Sequence, residues 1–307
     1  MSLVINTNMG SLQAGAALNA NSNTLQQAMQ RLSTGSKLNS AADNAAGNAI
    51  SARMTAQLKG FAQATQNTND AISMVQSAAN DLGNIVGYLQ RIRELAVQAS
   101  SGTNTASDRS SLQAEATQMM AEIDRVANSA SFNTIKLLNG GEQPDSSTLT
   151  SIAVQVGSNA SEYDQITIDL TDARTSALGS DTSPTTGMDS TLTVADIDLT
   201  AVDTGTWTGL SGGTAGTDNV LDTIDVAIQQ VSDAQSNLGA VQNRLSTTVN
   251  FLSSNSTNLS AAQSRVADTD YAAETTKLSR SQIIQQAATA MLAQANQQPQ
   301  AVLALLK

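Results

Sequence analysis

IDVAIQQVSDAQSNLGAVQNRLSTTVNFLSSNSTNLSAAQSRV, residues 224–266, is the stretch whose reading decides the fold. Ile224, Val231, Leu238, Leu245, Leu252, Leu259 and Val266 fall seven residues apart without a miss, and Ile228, Gln235, Gln242, Val249, Ser256 and Gln263 stand between them at 4-3 spacing. One edge of this seam is apolar throughout and the other is mixed. The spacing is that of helices packing knobs into holes, and the mixed edge predicts a bundle rather than a dry two-stranded coil. A helix over this span would be roughly 65 Å long at about 1.5 Å per residue.

The amino-side half carries its own 4-3 run through Phe61, Thr65, Thr68, Ile72, Val75, Ala79, Leu82, Val86 and Leu89. The run breaks at SSGTNTASD (100–108) and resumes through Leu112, Ala116, Met119, Ile123, Val126 and Ala130. Two helices from this flank and one from the other can close a shared core. Ile152, Val154 and Val156 alternate with polar residues, as do Ile166, Ile168 and Leu170 beyond a turn region at Gly157, Ser158 and Asn159. That period of two predicts a hairpin of half-buried strands.

Proline falls only at Pro144, Pro184 and Pro299, so residues 1–143 and 185–298 are free of the strongest helix breaker. The middle, about 176–218, turns to Thr, Ser, Gly and Asp and reads as loop or small β structure. The outermost segments repeat the helical theme thinly. Leu18, Leu25 and Leu32 alternate with Ala14, Asn21 and Ala28; at the other end Ile284, Ala288, Met291, Ala295, Gln298, Val302 and Leu305 follow the same rule. Thin seams make isolated helices marginal in water, so both ends are expected to order on assembly.

Composition narrows the function classes. Aromatic residues make up 2% of the chain, so its interiors must be thin seams of Ala, Leu, Val and Ile. The net charge of −11 argues against nucleic acid and against an anionic membrane as partners. The longest strongly apolar run, 301–306, is far short of the ~20 residues of a spanning helix. The amino terminus has no basic residue before Arg31 and no apolar core, which argues against a cleaved secretory signal.

The chain contains no histidine and no cysteine, which removes Ser-His-Asp and Cys-His chemistry and ordinary zinc sites, and no cofactor is implied. Gly209, Leu210, Ser211, Gly212 and Gly213 spell GxSxG, but no apolar strand leads into it and no histidine activates the serine. Asp189, Asp196, Asp198, Asp203, Asp218, Asp222 and Asp225 lack the carboxylate and glycine order of a calcium loop and read as solvated surface. No enzyme is expected.

VINTN (4–8), RLSTGSKLNSAADNAAGNAI (31–50), QRIRELAVQ (90–98), EIDRVANSASFNTIKLL (122–138) and SRSQIIQQAATAMLAQANQQPQAVLALLK (279–307) together resemble the bacterial flagellins. The matches cover well over half the chain, in order. Asn44 stands where the family often has a second Asp, and Lys307 where it often ends in Arg.

The resemblance implies a mainly α fold: a discontinuous coiled coil and helical bundle built from both chain ends, with a β-hairpin and a small middle outer domain. It places 1–42 and 268–307 in a terminal coiled-coil domain that forms an inner tube. Residues 43–175 and 219–267 form the bundle with its hairpin, and 176–218 the small outer domain. It also implies a secreted subunit that is exported unfolded through the flagellar type III channel and polymerises with itself into the flagellum. Its partners would be an export chaperone, a cap protein and hook-associated proteins.

Arg91, Leu95 and Glu115 match family positions recognised by a vertebrate innate immune receptor, with Gln90 and Gln118 beside them. In the heptad register Leu95 lies off the seam beside Arg91 at i, i+4, which marks a contact surface that could equally serve neighbouring subunits. Val302, Leu303, Leu305 and Leu306 resemble the carboxyl-terminal leucines that bind the chaperone and cytosolic sensors. A hook-filament junction protein of the same superfamily, or an adhesin using Trp207 in the middle region, are the competing readings.

Overall fold

Long runs rich in Ala, Leu and Gln favour helix from local propensity alone, and five helices dominate the computed structural model, the last of them carrying Pro299. It describes residues 8–142, 149–179, 193–200, 202–203, 206–207 and 220–305. In chain order come α1 (Met9–Thr34), α2 (Ala45–Ala99), α3 (Ala106–Ser129), β1 (Ser131–Phe132), β2 (Ile135–Lys136), β3 (Ser151–Gln155), β4 (Gln165–Asp169), β5 (Val202–Asp203), β6 (Thr206–Trp207), α4 (Val220–Ala267) and α5 (Tyr271–Leu305). The GxSxG string lies outside the described residues.

Helix ends are set by their capping residues. The Asn8 side chain accepts from the Ser11 N–H at 3.1 Å, and Gly35, at φ 71°, closes α1 in the left-handed conformation that favours glycine. Asn44 Oδ1 accepts from the Gly47 N–H at 2.9 Å at the start of α2. Asn is among the best residues for such a cap. The break at 100–108 ends in a capping box, in which Thr105 and Asp108 exchange side-chain and backbone hydrogen bonds at 3.3 and 2.9 Å.

The chain divides into two compact units, one of residues 1–59 and 256–307, the other of residues 60–255. Residues 60–255 hold the large core. Ile224, Val231, Leu238, Leu245 and Leu252 of the apolar edge of α4 are buried, while Ile228, Gln235, Gln242 and Val249 are half-buried. The expected mixture of edges is therefore what the packing uses. Residues of α2, α3 and α4 share one apolar cluster, as a three-helix core requires.

On α2 one edge of the expected seam is correct, since Thr68, Val75, Leu82 and Leu89 are buried. The other edge is shifted by one residue. Ala64, Ala71, Ala78, Ile85, Ile92 and Ala99 are buried, whereas Thr65, Ile72, Ala79 and Val86 are only partly so. Alanine carries a weak hydrophobic signal, so a register traced through the bulkier neighbours slips. Leu199, Ile197, Val194 and Leu178, from the Thr- and Gly-rich middle, also enter this core.

The strands pair as the alternation predicts. β3 and β4 are antiparallel, with Ile152 opposite Ile168 and Val154 opposite Ile166. Ile166 and Ile168 are buried and Ile152 and Val154 half-buried, so one face of the hairpin joins the core. A tighter hairpin joins β1 to β2 through Asn133 and Thr134, both at positive φ as a two-residue primed turn demands.

Candidate functional site

In the unit of residues 1–59 and 256–307, α1 and α5 pack against each other. The inward positions of α1 are Ala14, Leu18, Asn21, Leu25, Ala28 and Leu32, of which Asn21 and Ala28 are buried and the rest half-buried. This matches the expected 4-3 spacing, and places Leu18, Leu25 and Leu32 on the seam. On α5 the seam runs through Glu274, Leu278, Ser281, Gln285, Ala288, Leu292 and Ala295.

Ile284 and Met291, expected on that seam, instead point outward, 43% and 64% exposed. Apart from Leu278 and Leu292, small and polar residues hold the inner positions of α5, so a heptad drawn through Ile284 and Met291 puts that edge one residue early. Val302, Leu303 and Leu305 fall within the last turns of α5, and Leu306 lies outside the described residues.

Polar contacts fix the register of the pair. Asn8 Nδ2 donates to the Ala295 carbonyl and Asn21 Nδ2 to the Ser281 carbonyl, each at 2.7 Å. Glu274, 5% exposed, takes the Lys277 ammonium at 3.0 Å and lies 3.9 Å from the Arg31 guanidinium. A buried carboxylate needs such cations, and the requirement couples the end of α1 to the start of α5.

The segment after α1 is stitched to the α4–α5 junction by backbone bonds. Lys37 N–H donates to the Ala267 carbonyl at 2.8 Å and Thr269 N–H to the Gly35 carbonyl at 2.9 Å. Asp43 organises the loop by accepting from the Gln27 amide at 2.9 Å and from the Ser40 and Asn39 N–H groups at 2.9 and 3.1 Å. Those bonds, Gln27 first, hold the Asp43 carboxyl below its usual range.

Among the side chains the pair leaves uncovered are several large apolar ones. Met9, Leu12 and Met29 on α1 are 67%, 62% and 48% exposed, and Ile283 on α5 is 66% exposed beside Ile284 and Met291. A helix pair built only to satisfy itself would turn polar side chains outward at these positions.

A second surface lies on the unit of residues 60–255, where α2 presents two arginines to two different helices. Arg91 donates to Glu115 of α3 through Nε and Nη2 at 3.1 and 2.8 Å, and to Glu94 at 2.8 Å. Arg93 forms a two-pronged pair with Asp225 of α4 at 2.6 and 3.1 Å. Both guanidinium pKa values are raised, Arg91 by Glu115 and then Glu94, Arg93 by Asp225. Gln90 and Gln118 are exposed near this strip.

Leu95 is a correction. It is fully buried in the shared core, not an off-seam surface leucine. Helix α2 packs with both α3 and α4 here, so the buried stripe widens to include Leu95 beside Ile92, Ala96 and Ala99. The lateral position that would be exposed in a two-helix seam is enclosed in a three-helix core.

Among the described residues no cluster of three or more metal-ligating side chains occurs, and no helix is long and apolar enough to cross a membrane.

The bacterial flagellin N-terminal helical region, as a family model, matches residues 5–143, and the bacterial flagellin C-terminal helical region matches residues 221–306. The flagellin of Halalkalibacterium halodurans is 39% identical over 305 residues, covering 99% of this chain and 100% of that protein. The flagellin of Bacillus subtilis is 40% identical over 314 residues and covers 99% of each. The crystal structure of Bacillus cereus flagellin aligns at 27% identity with a TM-score of 0.43, covering 64% of this chain and 94% of that one.

Proposed function

The chain belongs to the bacterial flagellin family, and from that premise we propose that the outward apolar strip of α1 and α5 is the surface through which its copies join. It is a structural subunit of the flagellar filament, and it polymerises with itself. The single observation that carries the proposal is the exposure of Met9, Leu12, Met29, Ile283, Ile284 and Met291 on one helix pair. Water-exposed side chains of that size are stabilised by burial, at about 25 cal/mol per Å² of apolar area, and a second copy can supply it.

In this reading residues 1–42 and 268–307 form the inner tube, 43–175 and 219–267 the surrounding bundle, and 176–218 an outer segment anchored in the bundle core by Leu178, Val194, Ile197 and Leu199. Leu18, Leu25 and Leu32 hold α1 to α5. Val302, Leu303, Leu305 and Leu306, with Ile284 and Met291, meet the export chaperone before they meet other subunits. Export is as an unfolded chain, which the thin α1–α5 seam favours, followed by assembly beneath a cap protein on hook-associated proteins. Gln90, Arg91, Glu115 and Gln118 form a strip that an innate immune receptor can read, with Leu95 supporting it from beneath. The names of the relatives favour a filament subunit over a hook-filament junction protein or an adhesin.

Electron microscopy of purified monomer after seeding tests the proposal. Filaments are expected from the natural sequence, and Ile283→Ser with Ile284→Ser should abolish them while the monomer stays folded. Undiminished filament growth by that variant would overturn the assignment of the strip.

A further inference from the structure

Sulfur in this chain is carried by methionine alone, since there is no cysteine. The exposed large methionines among the described residues are Met9, Met29 and Met291, and all three sit on the α1–α5 pair. Met74 and Met120, in the other unit, are 6% and 8% exposed. Met291 also borders an open groove between the two helices, with Gly10, Gln13, Ala14 and Ala17 on one wall and Ile284, Ala288 and Gln294 on the other.

We infer that Met9, Met29 and Met291 are sites of reversible oxidation by peroxide, and that their oxidation blocks self-assembly of the free subunit while the assembled subunit is protected. The inference rests on the reading of the outward strip as the joining surface. In the step, the thioether sulfur attacks one oxygen of the peroxide and the O–O bond breaks. The sulfur is oxidised to a sulfoxide, the peroxide is reduced, and water leaves. An apolar, flexible side chain becomes a polar one carrying a strong acceptor.

On a water-exposed helix face that change is tolerated. In a dry contact between copies the sulfoxide oxygen would be stripped of water, and the lining of the groove beside Met291 is mostly alanine, glycine and isoleucine, with the Gln13, Gln294 and Gln297 amides as its side-chain donors, so lost hydration is replaced only in part. The thioethers of Met74 and Met120 are buried, and those of Met54 and Met119 half-buried, so they are better shielded than the three exposed ones. Once copies have joined, the same burial that makes oxidation disruptive keeps peroxide out.

The test treats free subunit and preformed filament with hydrogen peroxide, maps the added oxygen by peptide mass spectrometry, and measures the fraction that sediments as filament after seeding. Free subunit is expected to gain oxygen first at Met9, Met29 and Met291 and to lose polymerisation at least several-fold. Methionine sulfoxide reductases should restore it, and filament should gain little oxygen at these positions. Polymerisation unchanged with all three oxidised, or not restored once the oxygen is removed, would overturn the inference. A Met9→Leu, Met29→Leu, Met291→Leu variant should polymerise equally before and after peroxide; loss of its assembly on treatment would also overturn it. Failure of untreated natural subunit to polymerise would instead count against the joining surface itself.

Discussion

Asn21 and Ser281, 260 residues apart in the chain, are joined by a 2.7 Å hydrogen bond from the Asn21 side-chain amide to the Ser281 carbonyl. Both residues are buried, at 9% and 4% exposure, in a seam whose other members are small or half-exposed. A buried amide in a helix seam specifies register, because any slip would leave it unpaired. The pairing of the chain's two ends is therefore held by few groups, and each should be measurable.

Replacing Asn21 with Ala removes that bond and should weaken the α1–α5 pair by about 1 kcal/mol, a factor of roughly 5 in the paired population. The critical concentration for filament growth should rise by about the same factor. An unchanged critical concentration would mean that the bond does not set the register of the pair.

Core and surface positions should separate cleanly. Leu245→Ala, at a fully buried position, should cost about 2–5 kcal/mol of folding stability, read by denaturant titration. Ile284→Ser, at a 43% exposed position, should change folding by less than about 0.5 kcal/mol yet reduce filament yield.

Much of this division is legible in the sequence, for reasons that differ from element to element. The α4 seam is readable because Leu and Val fill it, and the β3–β4 hairpin because Ile and Val alternate on one face. The second edge of α2 is not, since Ala64, Ala71 and Ala78 mark it only weakly and larger neighbours outvote them. Leu95 needs knowledge that α3 and α4 both cover α2, which no single-helix period contains. On α5, Glu274 holds an inner position because Arg31 of α1 faces it, while the bond from Asn21 to the Ser281 carbonyl and the stitching of Lys37 to Ala267 use backbone groups that leave no trace in residue type. Leu178, Val194, Ile197 and Leu199 belong to no periodic run, so their entry into the core had no signal to announce it.

On the α2–α3 face, Arg91→Ala should leave the thermal midpoint in place, because its ion pairs with Glu115 and Glu94 are exposed and screened. The same change should weaken activation of an innate receptor in reporter cells. Leu95→Ala should do the reverse in part, lowering the midpoint first. Equal loss of stability in both variants would contradict the separation of a surface strip from its buried support.

Asp43 sets the expected pH response of the loop that ties α1 to α5. Its carboxyl pKa is depressed on folding, so its contribution is fully present above the ordinary aspartate value, about 4, and is lost as pH falls through the depressed value. Hydrogen exchange at the Ser40 and Asn39 amides should accelerate, relative to a loop reference, as pH drops through that window. Asp43→Asn should flatten the response; an identical profile in the variant would remove Asp43 from the account.

The most direct measurement concerns the pairing of the two ends within one subunit. A Cβ built on Gly10 would lie 3.9 Å from the Ala295 Cβ, within disulfide range, and the chain has no cysteine to interfere. A Gly10→Cys, Ala295→Cys variant, oxidised in filaments and run on a denaturing gel, is predicted to give a single fast-migrating band of internally closed monomer. Free thiols throughout, or cross-linked ladders without the closed monomer, would contradict the pairing of α1 with α5 in the same chain.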